Sequence, residues 1–389
     1  MDIVFLNNSK SLRGLSIKNY SSNPGIGGTE YVTLKIIYEL NKLSEKLKIR
    51  FATEQKVISK EIKIITRKEK IENSILVLPI SQINYLNTLN IKNCRIILWS
   101  HHPHDSINHL KHKYKEVISL GEYQYASNKN ISNKSFIIQN PYPKPIPKKE
   151  LLRANFSTPK NFVFLGAIGP AKGLHLVLEN WPKIRRKFKN SNLRVIGGNL
   201  YREKEKSGIN LLNFSISYEK VIERKLNKMS IEDKDSISFL GLISESEKDK
   251  VLKDSDIALL NPTGKSEAAP ASPLECYCYG IPVIAGGDFG AFDNMKKFPE
   301  LDLKINKLDT IIDFLIDEKN YKLIKKRTYE FALESYKKNN SIYSAWIKLF
   351  NNNLEKPNIK LPSVIYKKIK FREIYYRFIK YPFKKLRRF

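Results

Sequence analysis

Cysteine is scarce in this chain of 389 residues, where Cys94, Cys276 and Cys278 are the whole complement. Three scattered thiols cannot build a disulfide framework, so a reducing compartment, the cytoplasm, is expected. Long apolar runs are also missing. Nowhere are there about 18 consecutive uncharged apolar residues, the minimum for a spanning helix, so any membrane contact is expected to be peripheral. The opening MDIVFLNNSK has an acid at position 2 and only a short apolar run, which does not fit an export signal. Acids are in deficit as well, 39 Asp+Glu against 69 Lys+Arg, and the net charge of +30 favours anionic partners. Because Lys, Asn and Ile are abundant together, that charge does not by itself define a function. What is present, 41% apolar and 11% aromatic residues, excludes a disordered or collagenous chain and suffices for two packed cores.

Short apolar runs alternate with amphipathic stretches along most of the chain. Residues 2–6 predict a buried strand, followed by a loop with Gly25, Gly27 and Gly28 and a helix over 29–47 on the spacing of Val32, Ile36, Ile37, Leu40, Leu43 and Leu47. Further strands are predicted at 62–65, 75–79, 96–99, 117–120 and 136–138. Four prolines then alternate, Pro141, Pro143, Pro145 and Pro147, as a stiff interdomain linker. Beyond it the rhythm restarts, with strands at 162–165, 193–196, 237–239, 257–260 and 281–285, and helices at 174–188, 246–252 and around 320–349. Alternation of this kind implies α/β architecture with two doubly wound parallel sheets. No short-period repeat is present.

The stretch 257–290, IALLNPTGKSEAAPASPLECYCYGIPVIAGGDFG, is the richest in chemistry. Ser272-Pro273-Leu274-Glu275 has the form of a capping box, with Gly280 and Pro282 as the stop. A helix start at the carboxyl end of a parallel sheet offers free N–H groups to a phosphate. Glu275 therefore has two readings, a cap or a ligand, whereas Glu267 has no capping duty.

The pair Glu267 and Glu275, preceded by DIALLNP and followed by YGIPVIA, resembles the donor-site signature of retaining glycosyltransferases with the GT-B fold, family 4 (group 1). FVFLGAIGPAKGLHLVLE (162–179), LRVIGG (193–198) and ISFLGLIS (237–244) resemble further segments of that family, and the likeness covers roughly residues 1–350. It implies two Rossmann-like doubly wound domains facing a cleft: residues 1–145 on the acceptor side, 146–338 for the nucleotide sugar, 339–361 as a helix crossing back, and 362–389 as a basic aromatic tail. It further implies that Glu267 reaches the sugar hydroxyls, that Glu275 accepts from the ribose, and that Ala271 and Ser272 lie beside sugar and phosphates. Lys172 would neutralise the diphosphate, the alternative being a solvated lysine at a helix start. Many members carry an arginine directly after the glycine of that turn; here Ala167 follows Gly166, so one phosphate clamp is missing. Gly27 and Gly28 resemble the family's glycine loop, although they also read as plain loop glycines. A nicotinamide fingerprint fits poorly, because Glu30 stands at its third glycine.

Five of six histidines, His101, His102, His104, His109 and His112, follow the strand at 96–99. In the family a histidine at such a strand end faces the sugar, so His101 or His102 is its counterpart; a zinc site and plain loop histidines are the rivals. Asp254-Ser255-Asp256 imitates the metal-binding D-x-D of another fold but precedes a strand, and Cys276 and Cys278 fit a packed core.

From 362 to 389 there are ten Lys/Arg, one acid and eight aromatics. This pattern suits an anionic leaflet, with a nucleic-acid arm or a packed extension as alternatives. The sequence thus predicts a metal- and cofactor-independent retaining glycosyltransferase moving a sugar from a nucleotide-diphosphate donor to a glycan or lipid-linked hydroxyl acceptor, in bacterial envelope or surface polysaccharide synthesis. It would work in the cytoplasm or on the inner membrane face. The alternatives are a GT-B sugar-nucleotide epimerase and a non-catalytic or nucleic-acid-binding basic protein, and the paired glutamates disfavour nucleic acid.

Overall fold

Continuous apolar runs such as ILVLP (75–79) suit strands covered on both faces, and the computed structural model arranges them so. It describes residues 1–20, 23–101, 116–128, 134–149, 159–198, 216–264, 268–359 and 367. In chain order the amino-terminal strands are β1 (Asp2–Leu6), β2 (Lys48–Ala52), β3 (Lys63–Ile65), β4 (Lys70–Glu72), β5 (Ile75–Pro79), β6 (Asn90–Lys92), β7 (Arg95–Trp99), β8 (Glu116–Ser119) and β9 (Lys134–Ile137). Seven of them form a parallel sheet in the order β3-β2-β1-β5-β7-β8-β9, and β4 pairs with β6 apart from it. The later strands are β10 (Asn161–Leu165), β11 (Asn192–Ile196), β12 (Ile237–Gly241), β13 (Ile257–Leu259) and β14 (Val283–Ile284), a second parallel sheet ordered β12-β11-β10-β13-β14. The α/β reading with two doubly wound sheets is therefore correct.

Each sheet reverses its winding once, between β1 and β5 in the first and between β10 and β13 in the second. At such a switch point the two neighbouring connections leave on opposite faces and open a crevice at the carboxyl ends of the strands. The loops that leave β1, β10 and β13 carry the glycine cluster, the turn at Lys172 and the loop toward Glu275 respectively. Strand order alone thus gathers the predicted donor residues.

Four expectations need correction. The first helix runs Gly28–Leu43, not to residue 47, because Leu47 begins the approach to β2, a strand absent from the prediction. Its sequence KIRFA alternates charged with apolar residues, and only Ile49, Phe51 and Ala52 are buried. The last predicted strand shrinks to Val283–Ile284, and the helix at 246–252 spans Glu245–Lys253, closed by a true capping box between Ser244 and Glu247.

The proline segment runs along the second sheet's helices, with the Ile146 amide donating to the Cys278 carbonyl (3.1 Å) and Tyr142 exchanging hydrogen bonds with the Asn339 side chain. Asn339 opens the helix Asn339–Phe350, whose buried Ile342, Trp346 and Phe350 join Phe5 and Trp99 in the core of the first sheet. Its carboxyl end is held by Arg95, which donates to the carbonyls of Leu349 (2.9 Å) and Phe350 (3.0 Å) while pairing with Glu116. A cation there satisfies orphan carbonyls and the negative helix end together. Beneath them, Arg95, Glu116, Phe136 and Leu354 line a cavity of about 200 Å³. Among the described residues no helix is long and apolar enough to cross a membrane. The basic tail lies outside the described residues, Lys367 excepted.

Candidate active site

The site is best built from Glu275, whose position in the helix Ala271–Tyr277 decides its role. The helix begins at Ala271 after Pro270, and no side chain caps it. The expected capping box from Ser272 to Glu275 is therefore not formed. The helix starts before Ser272 and leaves that residue inside its first turn; Glu275 is met instead by the Lys248 ammonium, which donates to its Oε2 at 3.1 Å, with both side chains less than a tenth exposed. A buried carboxylate is tolerable only when paired. Gly280, at φ +64°, stops the turn as predicted.

Lys248 sits on the helix Glu245–Lys253, and its ammonium also donates to the backbone carbonyl of Asn23 at 2.8 Å. Asn23 belongs to the glycine loop of the first sheet. Its Oδ1 accepts from the amides of Gly25 and Ile26, and its Nδ2 donates to the Ile26 carbonyl, winding the loop toward Gly27 and Gly28. Gly25 passes so near the second sheet that a Cβ there would lie 3.7 Å from the Ile243 carbonyl oxygen. Gly27 precedes the helix Gly28–Leu43, and Glu30 folds its carboxylate over the space a side chain at Gly27 would fill. The loop that carries Gly27 and Gly28 is thus tied to Glu275 through one ammonium.

The same helix brings Tyr31 and Lys35 to the junction, both buried. Among the described residues the Tyr31 hydroxyl has no hydrogen-bond partner. Its proton is held well above the ordinary phenol range, first by burial and then by the Glu275 and Glu245 carboxylates. The Lys35 ammonium lies 5.8 Å from the Tyr31 ring centre, and burial lowers its proton affinity against the pull of Glu39 and Glu275. Periodicity counted this helix by its aliphatic positions and so passed over both residues. Lys248 was hidden within ESEKDKVLK, which reads as a solvated face.

Lys172 closes the turn Pro170–Lys172 and is followed by Gly173 in the left-handed region at φ +73°. The Thr263 hydroxyl donates to the Ala171 carbonyl (3.0 Å), tying this turn to the loop after β13 that leads toward Glu275. Ser272 faces the Gly166 turn, its Oγ 4.0 Å from where a Cβ at Gly166 would lie. Lys172, Ser272 and Glu275 thus share the carboxyl edge of the second sheet. Glu267 lies outside the described residues, but its neighbour Ala268 is buried in the same cluster as Tyr31 and Trp99 of the first sheet. His101 follows β7 and packs its ring on Trp99, centroids 4.3 Å apart. His102, His104, His109 and His112 lie outside the described residues.

The Ala268 loop is backed so closely by Gly290 that a Cβ there would come within 2.0 Å of the Ala268 carbonyl oxygen. Backbone cannot yield as a flexible side chain would. Gly290→Ala is expected to shift the acidic loop, cost about 1–3 kcal/mol of stability and lower turnover at least as much as donor affinity. Steady-state kinetics beside a denaturation curve would reveal it, and unchanged kinetics would detach this loop from the chemistry.

Two dismissed features are structural. Asp256 Oδ2 accepts from the amides of Lys160 and Asn161, and Asp254 pairs with Arg194. Cys276 and Cys278 are buried free thiols that burial pushes well above the ordinary thiol range, so neither is poised as a thiolate. No group of His, Cys, Asp or Glu among the described residues is arranged to hold a metal.

Residues 148–297 match the family model of the glycosyl transferases group 1. No curated protein sequence matches the chain. Among solved structures, the fold is similar to HepE from Anabaena in complex with UDP and glucose, at TM-score 0.60 and 11% identity over 90% of this chain and 100% of that one. Sucrose-phosphate synthase from Thermosynechococcus elongatus is similar at TM-score 0.59 and 12% identity, covering 90% and 98% of the two chains. A glycosyltransferase from Rickettsia africae follows at 0.57 and 13%, covering 92% and 99%. These likenesses concern the fold, two parallel α/β domains of the GT-B type.

Proposed function

We propose that this chain, whose residues 148–297 match the family model of the glycosyl transferases group 1, is a glycosyltransferase that moves a sugar from a nucleotide-diphosphate donor to a hydroxyl acceptor with retention and without a metal. The observation that carries the reading is Glu275, a buried carboxylate at the carboxyl edge of the second sheet, facing the glycine loop of the first. A carboxylate accepts two hydroxyl donors in a fork, which suits a ribose diol. Lys172, the amides of Ala271 and Ser272, and the glycine loop at Gly27 and Gly28 would surround the diphosphate, so that fixed positive charge and backbone dipoles stabilise the leaving group in place of a divalent ion. His101 or His102 and Glu267 would hold the sugar for attack on the face from which the phosphate departs. The complex of HepE with UDP and glucose supports a nucleotide sugar as donor.

The acceptor is proposed to be a glycan or lipid-linked precursor of a bacterial surface polysaccharide, met at the cytoplasmic membrane face by the basic aromatic tail 362–389. Removing the tail is expected to abolish binding to anionic vesicles; unchanged vesicle binding and acceptor turnover would dismiss it.

The donor reading is tested by ligand-observed NMR with UDP-, GDP-, ADP- and CMP-sugars in the presence of EDTA. One nucleotide class is expected to bind, and the glycoside formed on an added acceptor to keep the donor's anomeric configuration. Absence of binding at millimolar ligand, or an inverted product, would overturn the proposal. A changed sugar nucleotide without acceptor would favour an epimerase.

A further inference from the structure

We propose that Lys248 is a positioning residue that sets the Glu275 carboxylate for the ribose diol and couples that grip to the glycine loop of the facing domain. The inference rests on the donor-site reading of Glu275. Its evidence is an ammonium, 7% exposed, shared between two partners from different sheets: Glu275 Oε2 at 3.1 Å and the Asn23 carbonyl at 2.8 Å.

An unpaired glutamate carboxylate can rotate about three side-chain bonds, and each unfixed rotamer must be ordered when a ligand binds. Lys248 removes that freedom in advance. It takes one oxygen of Glu275, and the carboxylate keeps lone pairs for two ribose hydroxyls, since an ionised carboxyl offers about four acceptor positions. The second bond gives the arrangement its reach. Asn23 winds the loop through its bonds to Gly25, Ile26 and the Ile26 carbonyl, so the atom that orients the ribose carboxylate also anchors the backbone leading to Gly27 and Gly28. A ribose that engages Glu275 therefore meets a glycine loop already drawn to the second sheet, and a displaced Lys248 loosens both. A lysine kept only for packing would need neither partner, and an apolar side chain would fill the same space at lower desolvation cost.

The test uses the full chain and the ligands UDP, GDP, ADP and CMP, each beside its 2′,3′-dideoxy analogue, with affinities read by calorimetry or NMR titration. The native protein is expected to prefer the ribonucleotide that binds at least about tenfold over its dideoxy form. Lys248→Met is expected to weaken the ribonucleotide more than its dideoxy form, which feels only the loosened glycine loop, and so to shrink the preference to within about threefold. Glu275→Gln should do the same, and the double variant should be no worse than either single one, because both act on one grip. Lys248→Arg, which keeps the charge, should restore part of the preference. If Lys248→Met does not fold, Lys248→Gln supplies the neutral side chain and the same loss is expected.

Absence of any ribose preference in the native protein, or its survival in Glu275→Gln, would overturn the donor-site reading itself. Loss of the preference in Glu275→Gln together with its survival in the neutral Lys248 variant would overturn only the present proposal. So would a variant that weakens ribo and dideoxy ligands equally, the mark of a purely structural lysine, or a double variant whose losses add.

Discussion

Replacing Glu275 by Ala is expected to destabilise the protein by about 3–5 kcal/mol and to abolish the stabilisation that a nucleotide confers. The first effect follows from Lys248. Its ammonium is buried beside Glu275, and without the carboxylate only the Asn23 carbonyl remains to compensate a charge that water does not reach. Breaking a buried pair on one side costs far more than the pair contributes, because the surviving charge bears its full desolvation. Glu275→Gln keeps an acceptor for Lys248 and should cost about 1–3 kcal/mol. The second effect separates binding from folding. Nucleotide at a hundred times its dissociation constant should stabilise the native protein by about 2.7 kcal/mol, and the alanine variant should show no such gain. Denaturant unfolding with and without nucleotide reads both. A variant as stable as the native protein would mean that the pair is not buried as described. Retained nucleotide stabilisation would remove Glu275 from the donor site.

How much of this was legible beforehand depends on the kind of signal. Strands buried on both faces announce themselves as apolar runs, and 75–79 was placed to the residue. The strand Lys48–Ala52 escaped because it carries Lys48 and Arg50, with Arg50 pairing with Asp2 across the sheet and so hiding a period-two pattern behind charge. The resemblance names Gly27, Gly28, Lys172, Ser272 and Glu275, and the two switch points explain why loops so distant in sequence converge. Partnership was not legible. A capping box is suggested at Ser272–Glu275 and is not formed, because the helix starts at Ala271, before its expected cap, whereas one does form at Ser244–Glu247. Lys248, Tyr31 and Lys35 had no local signal, because their burial is created only when the two sheets meet.

Asp293→Asn is expected to change how stability responds to pH, and the sign follows from the other junction between the sheets. Asp293, in the helix Phe292–Met295, presses on Gly121 of the first sheet so closely that a Cβ there would lie 2.1 Å from its Oδ2. Lys296 spans the contact, 2.6 Å from Glu122 and 3.5 Å from Asp293. Burial pushes the Asp293 carboxyl up to about 6; Glu122 adds to the shift, while Lys296 and the Tyr123 amide oppose it. The ordinary value is 3.8. Between these two values the folded protein holds a proton that the unfolded chain has released, so stability falls as pH rises through the window. The penalty is absent below pH about 4 and complete above about 6, and two pK units set its upper size at about 3 kcal/mol. Asparagine mimics the protonated side chain and cannot ionise. The variant should therefore match the native protein near pH 4, exceed its stability by up to about 2–3 kcal/mol at pH 8, and lose the slope between. Opening of the two domains would return Asp293 to water, so the same group biases closure toward acid. Unfolding curves at pH 4, 6 and 8 decide it, and parallel pH profiles for the two proteins would show that Asp293 is already solvated in the native state.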